Sequence, residues 1–302
     1  FSLTASAMFA LEMGAKIVLI TNPRDLPAFV QILQREKFSF IIGVNTLFNA
    51  LLNTQGFDKL DFSSLKLTLG GGMAVTQAIA EQWQQVTGKV LIEAYGLTET
   101  SPAVCINPVR SERYTANIGL PLPSTEISIR DEEGNEVAIG ERGELWIRGP
   151  QVMKGYWHRP EETAHVFDNH GYLSTGDVAI INEQGYVKLV DRIKDMILVS
   201  GFNVYPNEVE DVVFSHKKVL EVGAIGIPHK VSGERVKVYV VKKDDSLTKK
   251  ELISWCRHRL TGYKRPRAIE FVDELPKSNV GKILRRELRV MHDKAHKLLK
   301  TP

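Results

Sequence analysis

The first hundred residues alternate short apolar runs with amphipathic ones, and no other feature constrains the fold as strongly. Residues 16–20 read as a strand. Residues 23–37 read as a helix, with apolar Leu26, Phe29, Val30 and Leu33 at helical spacing. A strand at 38–44 and a short helix at 46–53 follow, then a strand at 65–69 that runs into Gly70, Gly71 and Gly72. A helix at 76–87 and a strand at 90–94 complete the series. Strands alternating with helices predict a parallel sheet covered by helices. Such sheets bind ligands at the carboxyl ends of their strands. Both the glycine triplet and Tyr95-Gly-Leu-Thr-Glu99 fall at such ends.

From about Asn117 the texture changes. Short β-rich runs at 126–130, 143–148 and 187–190 are separated by turn signals such as Glu133-Gly-Asn135 and Gln184-Gly185. They predict a small antiparallel barrel or sheet. After Asp191 the pattern is mixed, with a helix at 206–215, strands at 222–227 and 237–242, a helix at 249–260, a strand at 268–272 and a last helix from about Leu284. The expected fold class is α/β, a parallel sheet with helices plus a small β-barrel subdomain, followed by a smaller α+β C-terminal domain. The expected boundaries are 1–115 for the distal part of a large α/β domain, 116–191 for the β-barrel-like subdomain and 192–302 for a mobile C-terminal domain. Residues 191–194 are the expected hinge.

With 302 residues the chain is long enough to bury a core in each of two domains. A net charge of +3 gives no support to nucleic-acid binding, which needs a concentrated basic face. Basic residues do crowd toward the end, at Lys282, Arg285, Arg286, Arg289, Lys294, Lys297 and Lys300, against Glu287 and Asp293. This run reads either as a solvated helix face or as a surface for an anionic partner such as a nucleotide, coenzyme A or a lipid headgroup. Cys105 and Cys256 are far apart and lack metal-ligand company, so two free thiols in a reducing cytoplasm are expected. No apolar run reaches membrane-spanning length, because Glu12 and Lys16 interrupt the first candidate. His158, His165, His170 and His216 lie in turn-like or polar settings and read mostly as surface. The start at Phe1, without Met or a basic leader, carries the expectation that the chain begins inside a larger protein.

Four strings carry chemistry. In Tyr95-Gly-Leu-Thr-Glu99 a hydroxyl beside a carboxylate can bind a phosphate oxygen and Mg²⁺ together, and Tyr95 offers a flat face for a base. The competing reading is a strand–turn with a helix cap at Thr98. In Tyr172-Leu-Ser-Thr-Gly-Asp177 the carboxylate can accept hydrogen bonds from both ribose hydroxyls, or simply close an Asx-type turn. Residues 191–206 have a charged start, an apolar centre and Gly201, which suits a hinge leading into a hairpin or a plain charged connector. In Leu275-Pro-Lys-Ser-Asn-Val-Gly-Lys282, Gly281 permits a flexible approach and Lys282 can deliver one point charge, unless it is a solvated lysine.

Taken together and in this order, the strings resemble the adenylate-forming superfamily of acyl-CoA synthetases, nonribosomal-peptide adenylation domains and luciferases. Within it, Gly43-Val-Asn-Thr-Leu-Phe-Asn-Ala-Leu-Leu52, Gly149-Pro-Gln-Val-Met153, 195–208 and 273–288 are similar to the bacterial long-chain fatty-acid–CoA ligases. The resemblance covers the whole chain. It implies that a fatty acid carboxylate attacks the α-phosphate of ATP, and that coenzyme A thiol then attacks the acyl-adenylate and releases AMP.

The resemblance also implies site roles. Gly70, Gly71 and Gly72 with Glu93, Ala94, Tyr95 and Gly96 would line the adenine. Thr98 would touch the α-phosphate and Glu99 would hold Mg²⁺. Asp177 and Arg192 would hold the ribose. Lys282 would approach the carboxylate and α-phosphate during adenylation, and Lys194 would be the hinge for the second step. Gly201 and Phe202 would lie near the pantetheine path. The expected ligands are fatty acid, ATP and coenzyme A, with no nucleic acid, and contact with the inner face of a membrane is consistent with a lipid substrate.

The pattern departs from the family in lacking the Ser/Thr/Gly-rich phosphate loop and the aromatic-plus-His motif that lie upstream in other members. The chain therefore reads as roughly a C-terminal half with little or no ligase activity of its own. Two other readings stay open at this stage: a non-catalytic module that binds nucleotide or acyl-CoA, and a ligase for another carboxylic acid. Val44, Leu47, Phe48 and Leu51 suit an acyl tunnel or a helix packed on the sheet equally well.

Overall fold

A computed structural model describes residues 2–278 and 281–298, with the side chains of 296–298 left out. Phe1, Asn279 and Val280 of the lysine string, and Lys300 of the basic run lie outside the described residues, as does the Lys297 side chain. The chain divides into two compact units, Phe1–Leu189 and Val190–Pro302.

The first unit opens with a π-helical stretch, Ser2–Met8, and a short helix α1, Phe9–Glu12. Residues 15–20 form no strand, contrary to the expectation for 16–20, and Leu19 is exposed. An apolar run becomes a strand only where a neighbour supplies the hydrogen-bond ladder. Among the described residues, no strand pairs with the 15–20 run or with the outer side of the edge strand β1 (Phe40–Gly43). Between them in sequence, α2 (Leu26–Arg35) begins where the Asp25 side chain accepts the Ala28 N–H, and it buries Phe29, Val30 and Leu33.

The helix α3 (Asn45–Leu52), strand β2 (Leu67–Gly70), helix α4 (Gln77–Thr87) and strand β3 (Leu91–Tyr95) continue the alternation. Strands β1, β2 and β3 are parallel, with Gly43 opposite Gly70 and Gly70 opposite Glu93. Strands β4 (Cys105–Ile106) and β5 (Leu120–Pro121) extend the sheet antiparallel. The helices are bound to the sheet by aromatic packing. Phe48 and Phe57 lie 4.8 Å and 5.3 Å from the Trp83 ring, and the Trp83 Nε1–H donates to Thr68. Phe48 and Leu51 are fully buried here, so α3 is a helix packed on the sheet at these positions.

Strands β6 (Glu126–Arg130) and β7 (Gly143–Arg148), helix α5 (Pro160–Val166), and strands β8 (Leu173–Ile181) and β9 (Val187–Arg192) follow. The four strands form one antiparallel sheet in the order β6-β7-β8-β9. It is open, with β6 and β9 as its ends, so the barrel expectation is corrected to a sheet. Four strands are too few to close around a packed interior. Its buried face carries Leu145, Ile147, Ala179 and Val187.

The second unit is a five-stranded sheet of β10 (Ile197–Val199), β11 (Phe202–Val204), β12 (Val219–His229), β13 (Gly233–Lys242) and β14 (Ala268–Phe271). Along β13, Val236, Val238 and Val240 join the core with α6 (Pro206–Phe214) and α7 (Lys249–Arg257). The alternate residues Tyr239 and Val241 meet Leu275 and the Leu288 of α8 (Arg285–Leu298). Period-two alternation thus gives the sheet two covered faces. Helix α7 starts at a Thr248 cap that accepts the Glu251 N–H. His216 departs from the surface expectation: it is buried, edge-on to Trp255 and 3.4 Å from Glu251.

Candidate functional site

In the first unit, the carboxyl ends of β2 and β3 carry the glycine triplet and the Tyr95 string, as a parallel sheet requires. Gly70 and Gly71 are buried and Gly72 is exposed. The turn after them is tied down by a buried carboxylate, since Glu93 accepts the Val75 N–H at 3.0 Å. Asn45 accepts the Thr76 N–H at 3.0 Å from the other side. Glu93 therefore holds the loop beside the triplet.

Past Tyr95 the backbone is crowded. A Cβ on Gly96 would come within 1.7 Å of the Pro102 carbonyl oxygen. Only glycine fits that approach. The chain then makes a single 3₁₀ turn, Thr98–Thr100, in which Thr100 both caps the Leu97 N–H and is buried. The cap falls to Thr100 rather than Thr98. Thr98 is left exposed and Glu99 half-buried.

Two tyrosines reach carboxylates here. The Tyr95 phenol donates to Asp177 at 2.6 Å, which joins strings 82 residues apart. Asp177 is buried, and its own N–H is held by the Thr175 hydroxyl. The Tyr156 phenol donates to Glu99 at 3.0 Å. Burial and then the Glu99 hydrogen bond push the Tyr156 phenol above its ordinary range, which keeps the donor protonated. Residues Gly70 to Gly72, Glu93 to Gly96, Thr98, Glu99 and Asp177 thus all belong to one unit.

Arg192, Lys194, Gly201, Phe202 and Lys282 belong to the second unit. The Arg192 N–H is bound by Asp191, and Lys194 is exposed in the turn Ile193–Asp195. Gly201 and Phe202 are exposed at the β10–β11 turn, where the Phe202 ring stacks on Tyr263 at 4.6 Å. Lys282 sits on a tight loop. Its N–H donates to the Ser278 hydroxyl, its carbonyl accepts the Ser278 N–H at 2.8 Å, and Lys277 bridges Ile283. Gly281 takes φ +83° in this turn.

Sequence reasoning missed two features. Tyr156 stands in Lys154-Gly-Tyr-Trp157, an ordinary loop signal, and nothing in the string points back 57 residues to Glu99. Arg285 reads as part of a basic helix, yet it is set among Asp191, Asp195 and Glu210, at 3.2, 3.4 and 2.8 Å. Burial opposes its charge, but the three carboxylates outweigh that and hold it firmly protonated. Burial raises Asp191 above the usual carboxylate range, although Arg285 and two backbone amides pull the other way. Asp195 also takes Arg289 at 2.8 Å. Asp191 and Asp195 are thus bound into the second unit, and two of the basic residues are consumed internally. Both cysteines are free and buried, with burial pushing Cys105 to about 12 and Cys256 to about 11. Neither is a thiolate at neutral pH.

This arrangement of a two-layer α/β unit, a hydroxyl–carboxylate turn and a separate lysine-bearing α+β unit has known counterparts. The AMP-binding enzyme family profile matches residues 1–157, and that of the AMP-binding enzyme C-terminal domain matches 208–282. The chain belongs to the AMP-binding enzyme family. It is similar to the long-chain-fatty-acid–CoA ligase of Yersinia pestis, 59% identical over 96% of this chain and 51% of that protein. The protein of the same name from Bacillus subtilis is 39% identical over 95% of this chain and 51% of its own length. The chain spans about half the length of the curated relatives it matches. Among solved structures, the anthranilate CoA ligase AuaEII in complex with anthranoyl-AMP is 30% identical with a TM-score of 0.85, covering 92% of this chain and 55% of that one.

Proposed function

We propose that this chain carries the hydroxyl–carboxylate turn, the ribose carboxylate and the lysine loop of an ATP-dependent, AMP-forming long-chain fatty-acid–CoA ligase. The observation that carries the reading is the Tyr95–Asp177 hydrogen bond, which brings two motifs into one unit with Thr98 and Glu99. The acid and the acyl acceptor are inferred from the similarity to the Yersinia and Bacillus ligases.

In the first step a carboxylate oxygen bonds to the α-phosphorus, and the bond to the β-phosphate oxygen breaks as pyrophosphate leaves. In the second, coenzyme A sulfur attacks the acyl carbonyl, its proton goes to solvent, and AMP leaves. Both partners of the first step are anionic, so fixed positive charge aimed at the transferring group lowers the barrier. Lys282 supplies that charge. Gly70, Gly71, Gly72, Glu93, Ala94, Tyr95 and Gly96 shape the adenine wall, with Glu93 acting through the Val75 amide. Thr98 offers its exposed hydroxyl to the α-phosphate. Asp177, fixed by Tyr95, accepts from the ribose hydroxyls, and the Arg192 guanidinium donates to them.

Among the described residues no cluster of three or more His, Cys, Asp or Glu could hold a metal by itself. Mg²⁺ takes one or two carboxylates together with substrate phosphates, and the half-buried Glu99 beside the exposed Thr98 hydroxyl is a donor set of that kind. Glu99 would hold it, and when bound it screens the charge of the polyphosphate. Lys194 is the pivot that presents and withdraws the 192–302 domain, and Gly201 and Phe202 flank the pantetheine. The exposed Lys294 on α8 and the lipid substrate suit a cytoplasmic enzyme touching an anionic membrane surface. In this reading 1–115 and 116–191 are parts of a larger adenylation domain, and the 302-residue chain alone gives no palmitate-dependent pyrophosphate release.

The test is Lys282→Ala in a chain of the relatives' full length. Palmitate-dependent pyrophosphate release falls by about 100-fold or more, while pre-formed palmitoyl-adenylate is still converted to thioester. Equal loss in both half-reactions would remove Lys282 from the role. No palmitate-dependent release by the unaltered full-length chain would remove the substrate.

A further inference from the structure

Glu99 is held from one short segment at two points. The Met153 N–H donates to the Glu99 carbonyl at 2.7 Å, and three residues later the Tyr156 phenol donates to its Oε1 at 3.0 Å. The segment is itself braced. The Tyr156 N–H donates to the Thr163 hydroxyl at 2.9 Å, and that hydroxyl donates to the Arg159 carbonyl at 2.7 Å. Gly155, at φ +150°, brings the backbone so close to Thr163 that a Cβ would lie 2.7 Å from its Cγ2. On the opposite side, the Leu97 N–H and Thr100 hydroxyl fix the turn that carries Glu99. Among the described residues Oε2 takes no hydrogen bond.

A half-exposed glutamate has several rotors, and ordering them on binding costs free energy. A charge-assisted phenol hydrogen bond orders them beforehand. We propose that Tyr156 is a positioning residue for Glu99, fixing one carboxylate oxygen so that the other is presented to the divalent cation of a bound triphosphate. This rests on the nucleotide reading given above for Glu99. It adds a residue outside the Thr98–Glu99 turn and assigns it an effect on the metal alone.

The experiment uses the full-length chain, its Tyr156→Phe variant and Mn²⁺ as the probe, read by electron paramagnetic resonance in the presence of ATP. The dissociation constant for Mn²⁺ rises roughly tenfold in the variant, the effect of losing one hydrogen bond to a charged group. AMP, which needs no metal, binds both proteins equally. Trp157→Ala, altering an 86% exposed neighbour, changes neither. Equal Mn²⁺ affinity in Tyr156→Phe and the parent overturns the proposal. So does AMP affinity falling in step with Mn²⁺ affinity, because that marks a merely structural role. Absence of ATP-dependent Mn²⁺ binding by the parent overturns it as well. No fatty acid enters these measurements, so failure of the fatty-acid reading shows separately, as intact Mn²⁺·ATP binding without palmitate-dependent turnover.

Discussion

In the first unit Tyr95 and Tyr156 each donate a phenol hydrogen bond to a carboxylate, but in opposite surroundings. Tyr95 and Asp177 are 9% and 4% exposed and meet at 2.6 Å, whereas Tyr156 is 38% exposed and meets Glu99 at 3.0 Å. A hydrogen bond away from water is costly to leave unmade, while the groups of one at the surface can turn to water at little cost to folding. The buried pair therefore contributes more to the stability of the sheet junction than the open pair does. The same two functional groups divide the labour according to what surrounds them.

The hardest blow to this comparison is Gly96→Ala, which lies between the two pairs. The overlap with the Pro102 carbonyl displaces the turn, and urea unfolding loses roughly 4 kcal/mol. A variant of near-parental stability would show that the turn yields easily and that the two pairs are not built on one rigid frame. Next comes Asp177→Ala, which removes the acceptor from a buried phenol and costs about 1–3 kcal/mol by the same measurement. Glu99→Ala, by contrast, shifts stability by no more than about 0.5 kcal/mol, as surface changes do. Equal losses in these two variants would erase the distinction.

The smallest effect concerns Asp168, a carboxylate of intermediate setting in the connection between α5 and β8. Burial alone would raise it, but the Arg130 hydrogen bond and the Tyr172 and His170 amides hold it below its ordinary 3.8. A depressed carboxylate contributes stability that is present above the unfolded value and lost as pH falls through the folded one. Acid unfolding followed by tryptophan fluorescence is therefore steeper below about pH 4 in the parent than in Arg130→Met. Superimposable curves would show that the ion pair makes no net contribution.

Much of this was readable from the chain. Alternation located the parallel strands and helices from residue 23 onward, because period and turn chemistry are local. It failed at 16–20, where strand formation depends on a partner and not on the run itself. The strings around Glu99, Asp177 and Lys282 stood out by residue type, but their partners did not. Tyr95 meets Asp177 across 82 residues, and Arg285 meets Asp191 across 94. Arg285 shows the limit best. Its neighbours in sequence suggest a solvated basic face, and only the fold places three carboxylates around it.

The crowding at Gly96 has a use in reading other genomes. Its side-chain space is filled by the chain's own Pro102 carbonyl, before any nucleotide arrives. A descendant that had abandoned chemistry would still need glycine there in order to fold. The glycine of this motif is therefore a marker of ancestry, and searches that weight it will gather retired members along with working ones. If Glu99 and Tyr156 act as proposed above, theirs are the letters whose loss would flag retirement.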